Sequence, residues 1–336
     1  MIWRIITDAS TMPTIADGLP AVKGALLVGS MVTLAMMAVR LRARLYDLAR
    51  QLSATPLYLD QISQQMKRDP QLSSGLVSHR GFHYPSDSLQ RPLENTLAAY
   101  ERSWSAGVKY CECDIAQTKD GEIILCHDAN LKRLALDPNA ELAVKDVTLC
   151  EFTRGLEFLS LKDGSRVPTL TEVLSAAKRV GNGSKLVIEI KGEDAPCAAA
   201  VAKLVGDDWG NYVALAMGFS LVSVREFARQ NPRKGEVLSM LLTVRRKDAR
   251  GYHYFDLDVM DDSIEVVRQN GVDGLYLQYD PAFLDDARFE TLCKQLPIGV
   301  WGRAISDPDY YGVAKRLLSK GAIFVNTDFP DNFFAK

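Results

Sequence analysis

From Gly75 onward, short aliphatic and β-branched runs alternate with longer stretches whose apolar positions recur every three or four residues. The runs GLVSHR (75–80), YCECDIA (110–116), LVIEIK (186–191), VALAMGF (213–219), EVLSMLLT (236–243), DGLYLQY (273–279), IGVWGR (298–303) and AIFVNT (322–327) predict strands. Most are continuously apolar, the pattern of strands covered on both faces. Between the first two, NTLAAYERSWSAG places Leu97, Tyr100 and Trp104 at helical spacing, with Asn95 as the expected N-cap. TLTEVLSAAKRV, SVREFARQN, DSIEVVRQNG, DARFETLCKQL and DYYGVAKRLLSKG read as further helices, several stopped by Gly or Asn. Eight such alternations over about 260 residues predict an α/β fold, a parallel (β/α)8 TIM barrel. A doubly wound sheet would carry G-x-G-x-x-G after its first strand, and none is present.

One interruption of the rhythm is informative. After YCECDIAQ, the segment TKDG and then EIILCHD predict a hairpin turned at Asp120-Gly121. The hairpin would return His127 toward the strand that carries Glu112 and Asp114.

The N-terminal part breaks the pattern differently. Residues 24–39, GALLVGSMVTLAMMAV, carry no charge, with Lys23 before them and Arg40, Arg42 and Arg44 after. The run lies just below the roughly 17–25 residues of a spanning helix. Asp8 and Asp17 upstream disfavour a cleaved signal or a transit peptide. The expectation is a membrane-associated chain anchored through 24–39, its catalytic domain held on the cytoplasmic side by the basic cluster. A packed, non-spanning helix is the alternative. The domain reading is an N-terminal segment 1–44, a polar helical stalk 45–74, and a catalytic barrel 75–336.

Composition narrows the function. Hydrophobic residues make up 47% and charged residues 24%, enough for a large core, and the net charge of -2 does not favour nucleic acid as a partner. The six cysteines form no C-x-x-C pair and read as free thiols in a reducing compartment. With only four histidines in the chain, His79 and His127 both fall beside strand ends.

Barrel chemistry sits at the C-terminal ends of strands. The first strand delivers His79 and Arg80. The second delivers Glu112 and Asp114, two apart and therefore on one side, with Cys111 and Cys113 on the other. The third delivers Glu189 and Lys191. Three carboxylates converging there would repel one another unless a cation joined them, and an all-oxygen set suits Mg2+ or Ca2+. Beside a metal, Arg80 and Lys191 supply fixed positive charge for a phosphate, and the histidines supply acid and base. The set reads as phosphoester chemistry.

The ordered motifs SHRG (78–81), ENT (94–96), ECD (112–114), TKDG (118–121), HD (127–128), EIK (189–191), Trp301 at a strand end and NTDFP (326–330) resemble the glycerophosphodiester phosphodiesterase family. The resemblance covers residues 75–336. It implies a (β/α)8 barrel that hydrolyses a phosphodiester attached to glycerol, with one divalent ion held by Glu112, Asp114 and Glu189. His79 and His127 match the family's catalytic pair, and Arg80 and Lys191 its phosphate contacts. In our hypothesis His79 activates the nucleophile and His127 protonates the leaving alkoxide. Glu94 and Asn95 are expected to support these groups, and Phe219 and Trp301 to form an apolar wall.

Two segments depart from the family pattern. The stretch FHYPSDSLQRPL (82–93) is long, placing His83, Tyr84 and Arg91 near the mouth, and Trp301 is followed by GRAIS. Both bear on substrate identity. The substrate is expected to be a small-molecule or lysolipid phosphodiester. The alternatives are a lysophospholipase D and a barrel that binds a phosphodiester without turnover. The oligomeric state is not legible in the sequence.

Overall fold

All eight strands expected from the sequence form, because each buries its two faces in different layers. The computed structural model describes residues 64, 66–83, 92–137, 141–153, 160–247, 249–302 and 310–328. The parallel strands are β1 (Leu76–Ser78), β2 (Tyr110–Gln117), β4 (Lys185–Ile190), β5 (Val213–Gly218), β6 (Leu238–Leu242), β7 (Gly274–Gln278), β8 (Ile298–Trp301) and β9 (Phe324–Thr327). They pair in the order β1-β9-β8-β7-β6-β5-β4-β2, and β1 pairs with β2 to close the barrel. The hairpin also forms: β3 (Ile123–Leu125) runs antiparallel to β2, with Ile115 opposite Leu125.

Alternation along the strands sorts the core into layers. Val77, Val187, Leu215, Met217, Met240, Leu242, Tyr276 and Phe324 fill the barrel interior. Cys111, Cys113, Leu186, Ile188 and Ile190 pack outward against helices. Gly299 admits the ring of Tyr276, whose carbons lie 2.3 Å from where a Cβ would be. All six cysteines are free thiols.

The helices begin where short polar side chains satisfy their first backbone N–H groups. α1 is Pro70–Gly75, capped by Asp69. α2 is Leu97–Ser105, and its cap is Thr96, whose hydroxyl accepts from Ala99 N. This corrects the expectation of Asn95, which is in the left-handed region at φ 55° and uses its side chain elsewhere. Thr169 and Glu172 form a reciprocal capping box at Leu170–Val180. The helix Ala195–Leu204 was not anticipated, because its alanine-rich sequence shows little amphipathic contrast.

The expectation of a membrane-associated chain with a cytoplasmic-side domain is corrected. Among the described residues, no helix is long and apolar enough to cross a membrane. The described barrel helices are short; Leu170–Val180 has 11 residues, against the roughly 20 of a span. The apolar run 24–39, with all of 1–63, lies outside the described residues, as do Tyr84 and Arg91.

The packed core reaches back before Gly75. Met66 and Leu72 are buried in one cluster with Leu76, Leu317 and Leu318, and Lys315 lies 2.8 Å from Asp69. Leu72→Ala should therefore cost about 2–5 kcal/mol in urea unfolding of the full chain, the range for a buried leucine cavity. A change under about 0.5 kcal/mol would show that this turn contributes nothing to the barrel.

Candidate active site

The site begins with an unusual piece of backbone after β1. Arg80 is held at φ 54° and Gly81 at φ 79°. A Cβ on Gly81 would lie 2.9 Å from Ala99, so the glycine of SHRG is required by close approach to α2. The turn is tied down by Arg80 N donating to Glu112 Oε2 at 2.9 Å and Asn95 N donating to Arg80 O at 3.1 Å. It brings His79 and Arg80 over the barrel mouth.

Strand register supplies the carboxylates. Asp114 on β2 is paired directly with Glu189 on β4, and Glu112 lies two residues earlier on the same side. Glu112, Asp114 and Glu189 are all buried, and each offers a ligand oxygen within 4.8 Å of the others. Burial, with the charges of Asp114 and Glu189, pushes the Glu112 carboxyl up to about 8. Burial likewise raises Glu189, helped by Asp114. Burial also opposes ionisation of Asp114, but Arg80 and Lys191 outweigh it and hold that carboxyl well below its ordinary value.

A divalent cation fits this set. Glu112 Oε1 is buried without a hydrogen-bond partner, so one ligand oxygen is left unsatisfied by the protein itself. Three buried carboxylates also place more negative charge than Arg80 and Lys191 balance. An oxygen-only donor set selects a hard ion.

The cations are fixed beside the carboxylates. Lys191 Nζ lies 2.6 Å from Glu189 Oε1 and 3.2 Å from Asp114 Oδ1. Arg80 Nε is 3.1 Å from Asp114 Oδ2, and its Nη1 donates to Glu94 Oε1 at 3.0 Å. Asn95 supports the same carboxylate: its Nδ2 donates to Asp114 Oδ2 at 2.9 Å, and its Oδ1 accepts from Tyr100 OH at 2.6 Å.

Each histidine is oriented by an aspartate. His79 Nδ1 is 2.5 Å from Asp328 Oδ1, and His127 Nδ1 is 2.7 Å from Asp128 Oδ1. With Nδ1–H donating to carboxylate, Nε2 is the nitrogen left for chemistry in both rings. His79 Nε2 lies 3.8 Å from Glu112. Burial pulls His79 down, yet Glu112 and Asp328 leave it above its ordinary value. Burial lowers His127, and Arg80 and Lys191 add to that effect against Asp114. A cation among the carboxylates would offset the Glu112 charge that lifts His79, so these directions do not assign acid and base.

Two residues in this network escaped sequence reasoning. Arg133 grips Glu94 in bidentate fashion at 2.6 and 2.8 Å and reaches Asp128 at 2.7 Å, linking Arg80 to His127 through Glu94. It sits five residues after the HD motif, a spacing that was its only signal. Asp328 lies inside the quoted NTDFP motif, but its partner is 249 residues away in sequence. His83 is buried rather than on the rim, its ring 6.3 Å from His79, and burial pushes it down to about 4.

His79, Arg80, Glu112, His127, Glu189 and Lys191 open into one cavity of about 920 Å³. Phe219 and Trp301 line its far side, meeting edge-on with ring centroids 5.5 Å apart. Arg245, Arg246, Arg250 and Tyr252, none of them singled out from sequence, complete the rim. Their signal was position: they follow the C-terminal end of β6.

A closed barrel that gathers carboxylates, fixed cations and oriented imidazoles at one mouth defines a metal-assisted hydrolase site. Residues 79–203, which include these groups from His79 to Lys191, match the Glycerophosphoryl diester phosphodiesterase family. A glycerophosphodiester phosphodiesterase of Caldanaerobacter subterraneus subsp. tengcongensis is 29% identical over 249 residues, covering 70% of this chain and 94% of that one. The lysophospholipase D GDPD1 of Mus musculus is 34% identical over 110 residues, 30% of this chain and 32% of that one. Among solved structures, an Oleispira antarctica phosphodiesterase in complex with its product sn-glycerol-3-phosphate superposes with a TM-score of 0.55 at 18% identity. The match covers 77% of this chain and 94% of that one.

The Glu94 hub should be sensitive. Glu94 is 7% exposed and joins Arg80 and Arg133. Its alanine variant should lose about 1.5–3 kcal/mol in urea unfolding, because it removes charge-assisted contacts to both arginines and leaves Arg80 with Asp114 alone. A loss below about 1 kcal/mol would mean that water already satisfies Arg80.

Proposed function

We propose that this chain hydrolyses glycerophosphodiesters to glycerol phosphate and an alcohol. The observation that carries the reading is the carboxylate trio, flanked by Arg80 and Lys191 and by two aspartate-oriented histidines, all but Asp114 lining one cavity. The match of residues 79–203 to the Glycerophosphoryl diester phosphodiesterase family and the glycerophosphodiester activity named for a relative support it. Glu112, Asp114 and Glu189 hold one divalent ion, Mg2+ or Ca2+, which when bound neutralises charge on the phosphoryl oxygens.

The chain's own residues do the rest. Arg80 and Lys191 bind and orient the phosphodiester. His79 Nε2 accepts a proton from the attacking water as its oxygen bonds to phosphorus. The P–O bond to the alcohol breaks, and His127 Nε2 gives a proton to the departing oxygen. Asp328 holds the Nδ1–H tautomer of His79, which leaves Nε2 free to accept, and Asp128 supports the imidazolium form of His127, from which Nε2–H is given. Phe219 and Trp301 form the apolar wall of the pocket beside the bound diester.

A second reading is a lysophospholipase D. Met217, Leu242, Phe219 and Trp301 give the cavity apolar lining, and a relative of that name matches part of the chain. Hydrolysis of lysophosphatidylcholine without hydrolysis of glycerophosphocholine would favour it.

The full chain should release glycerol phosphate from glycerophosphocholine with Mg2+ or Ca2+ and lose that activity in EDTA. Activity that persists after complete metal removal would contradict the reading. His127→Ala should lose about 10²–10⁴-fold on glycerophosphocholine but far less on an aryl phosphodiester, whose leaving group needs no proton. Equal losses on the two substrates would sink the assignment of His127 as the acid.

A further inference from the structure

Three arginines at the cavity rim have no task in the hydrolysis described above. Arg245, Arg246 and Arg250 line the same cavity as His79 and Lys191, yet Glu189, which also lines it, is already engaged by Lys191. A bare charge run on a loop would ordinarily be a solvated surface. This one is built in.

The segment that carries the arginines leaves and returns at one point: Val244 N donates to His253 O at 2.9 Å, and Phe255 N donates to Val244 O at 3.0 Å. Arg245 N donates to Gln278 Oε1 at 2.9 Å, and its guanidinium lies 2.6 Å from Asp280. Arg250 sits 4.6 Å from the centroid of Tyr252. Tyr252 in turn stacks on Phe219 at 4.5 Å and 18°, and Phe219 meets Trp301. The aromatic wall therefore fixes an arginine on the rim. Among the described residues, Arg246 has no ion-pair partner.

This arrangement bears on the leaving alcohol. An aromatic wall by itself would suit a quaternary ammonium. Here Tyr252 is already engaged by Arg250 and Phe219, and the guanidiniums beside it repel a cation. Guanidinium groups match phosphate oxygens in a two-pronged geometry that an ammonium side chain cannot copy.

Resting on the glycerophosphodiester reading, the geometry points to a second anion site at the mouth, in which Arg246 and Arg250 select a leaving alcohol that bears its own phosphate. In that reaction water adds across the phosphodiester as before. The P–O bond to the alcohol breaks, the proton goes to the alcohol oxygen, and the second phosphate departs unchanged with its alcohol.

The test compares glycerophosphoinositol with glycerophosphoinositol 4-phosphate on the metal-loaded full chain at low salt. The 4-phosphate should raise kcat/KM by roughly tenfold or more, the scale of a charge-assisted phosphate contact. In the double variant R246Q/R250Q that ratio should fall toward one. R229Q, in the last turn of the helix Leu221–Gln230, should retain it. Raised salt should shrink the ratio in the wild type, because the three arginines are exposed.

Equal kcat/KM on the two substrates, or a ratio unchanged in R246Q/R250Q, overturns the inference while the hydrolysis itself stands. Turnover of neither substrate overturns the glycerophosphodiester reading, and calorimetric binding of inositol 4-phosphate then decides the rim. Tighter binding than inositol, lost in R246Q/R250Q, would retain the anion site. No difference between the two would remove it.

Discussion

The barrel mouth depends on a conflict of like charge. Glu112, Asp114 and Glu189 are buried close enough to repel one another, and two cations are packed against them without fully balancing them. No fold keeps such a cluster for stability, since apolar residues of similar volume would pack at least as well. The arrangement makes physical sense when a divalent cation completes it. The unsatisfied Glu112 Oε1 marks where the protein's own hydrogen bonding stops.

Much of the surrounding structure can be understood as holding that cluster in place. Parallel register sets Asp114 beside Glu189. The left-handed turn at Arg80 and Gly81 carries a guanidinium over Asp114 and a backbone N–H to Glu112. Such φ values persist where the surroundings over-determine them, and here Glu112, Asn95 and Ala99 do so. A chain of charged contacts then runs from Arg80 through Glu94 and Arg133 to Asp128 and His127, so distant side chains share one electrostatic frame.

The sequence displayed the strands because burial on both faces leaves continuous apolar runs. It displayed the buried carboxylates because ECD and EIK place charges two apart inside such runs, where a carboxylate has no ordinary reason to be. Other features depended on tertiary contacts. Asn95 looked like a helix cap by residue type, but its side chain is committed to Asp114 and Tyr100, and Thr96 caps instead. Asp328 and Arg133 act through partners remote in sequence. The rim arginines follow β6 as a plain charge run, and only the folded chain shows that they line the cavity, with Arg250 over Tyr252. The uncharged run 24–39 suggested a membrane, whereas the described helices are short elements wrapped on strands.

Calorimetric titration of a divalent cation into the metal-free full chain tests the central claim most directly. The account predicts one ion per chain for the wild type and no measurable binding for Glu112→Gln/Glu189→Gln, a variant that leaves the barrel's apolar layers untouched. Undiminished binding by a folded Glu112→Gln/Glu189→Gln variant, or no binding by the wild type, would contradict it.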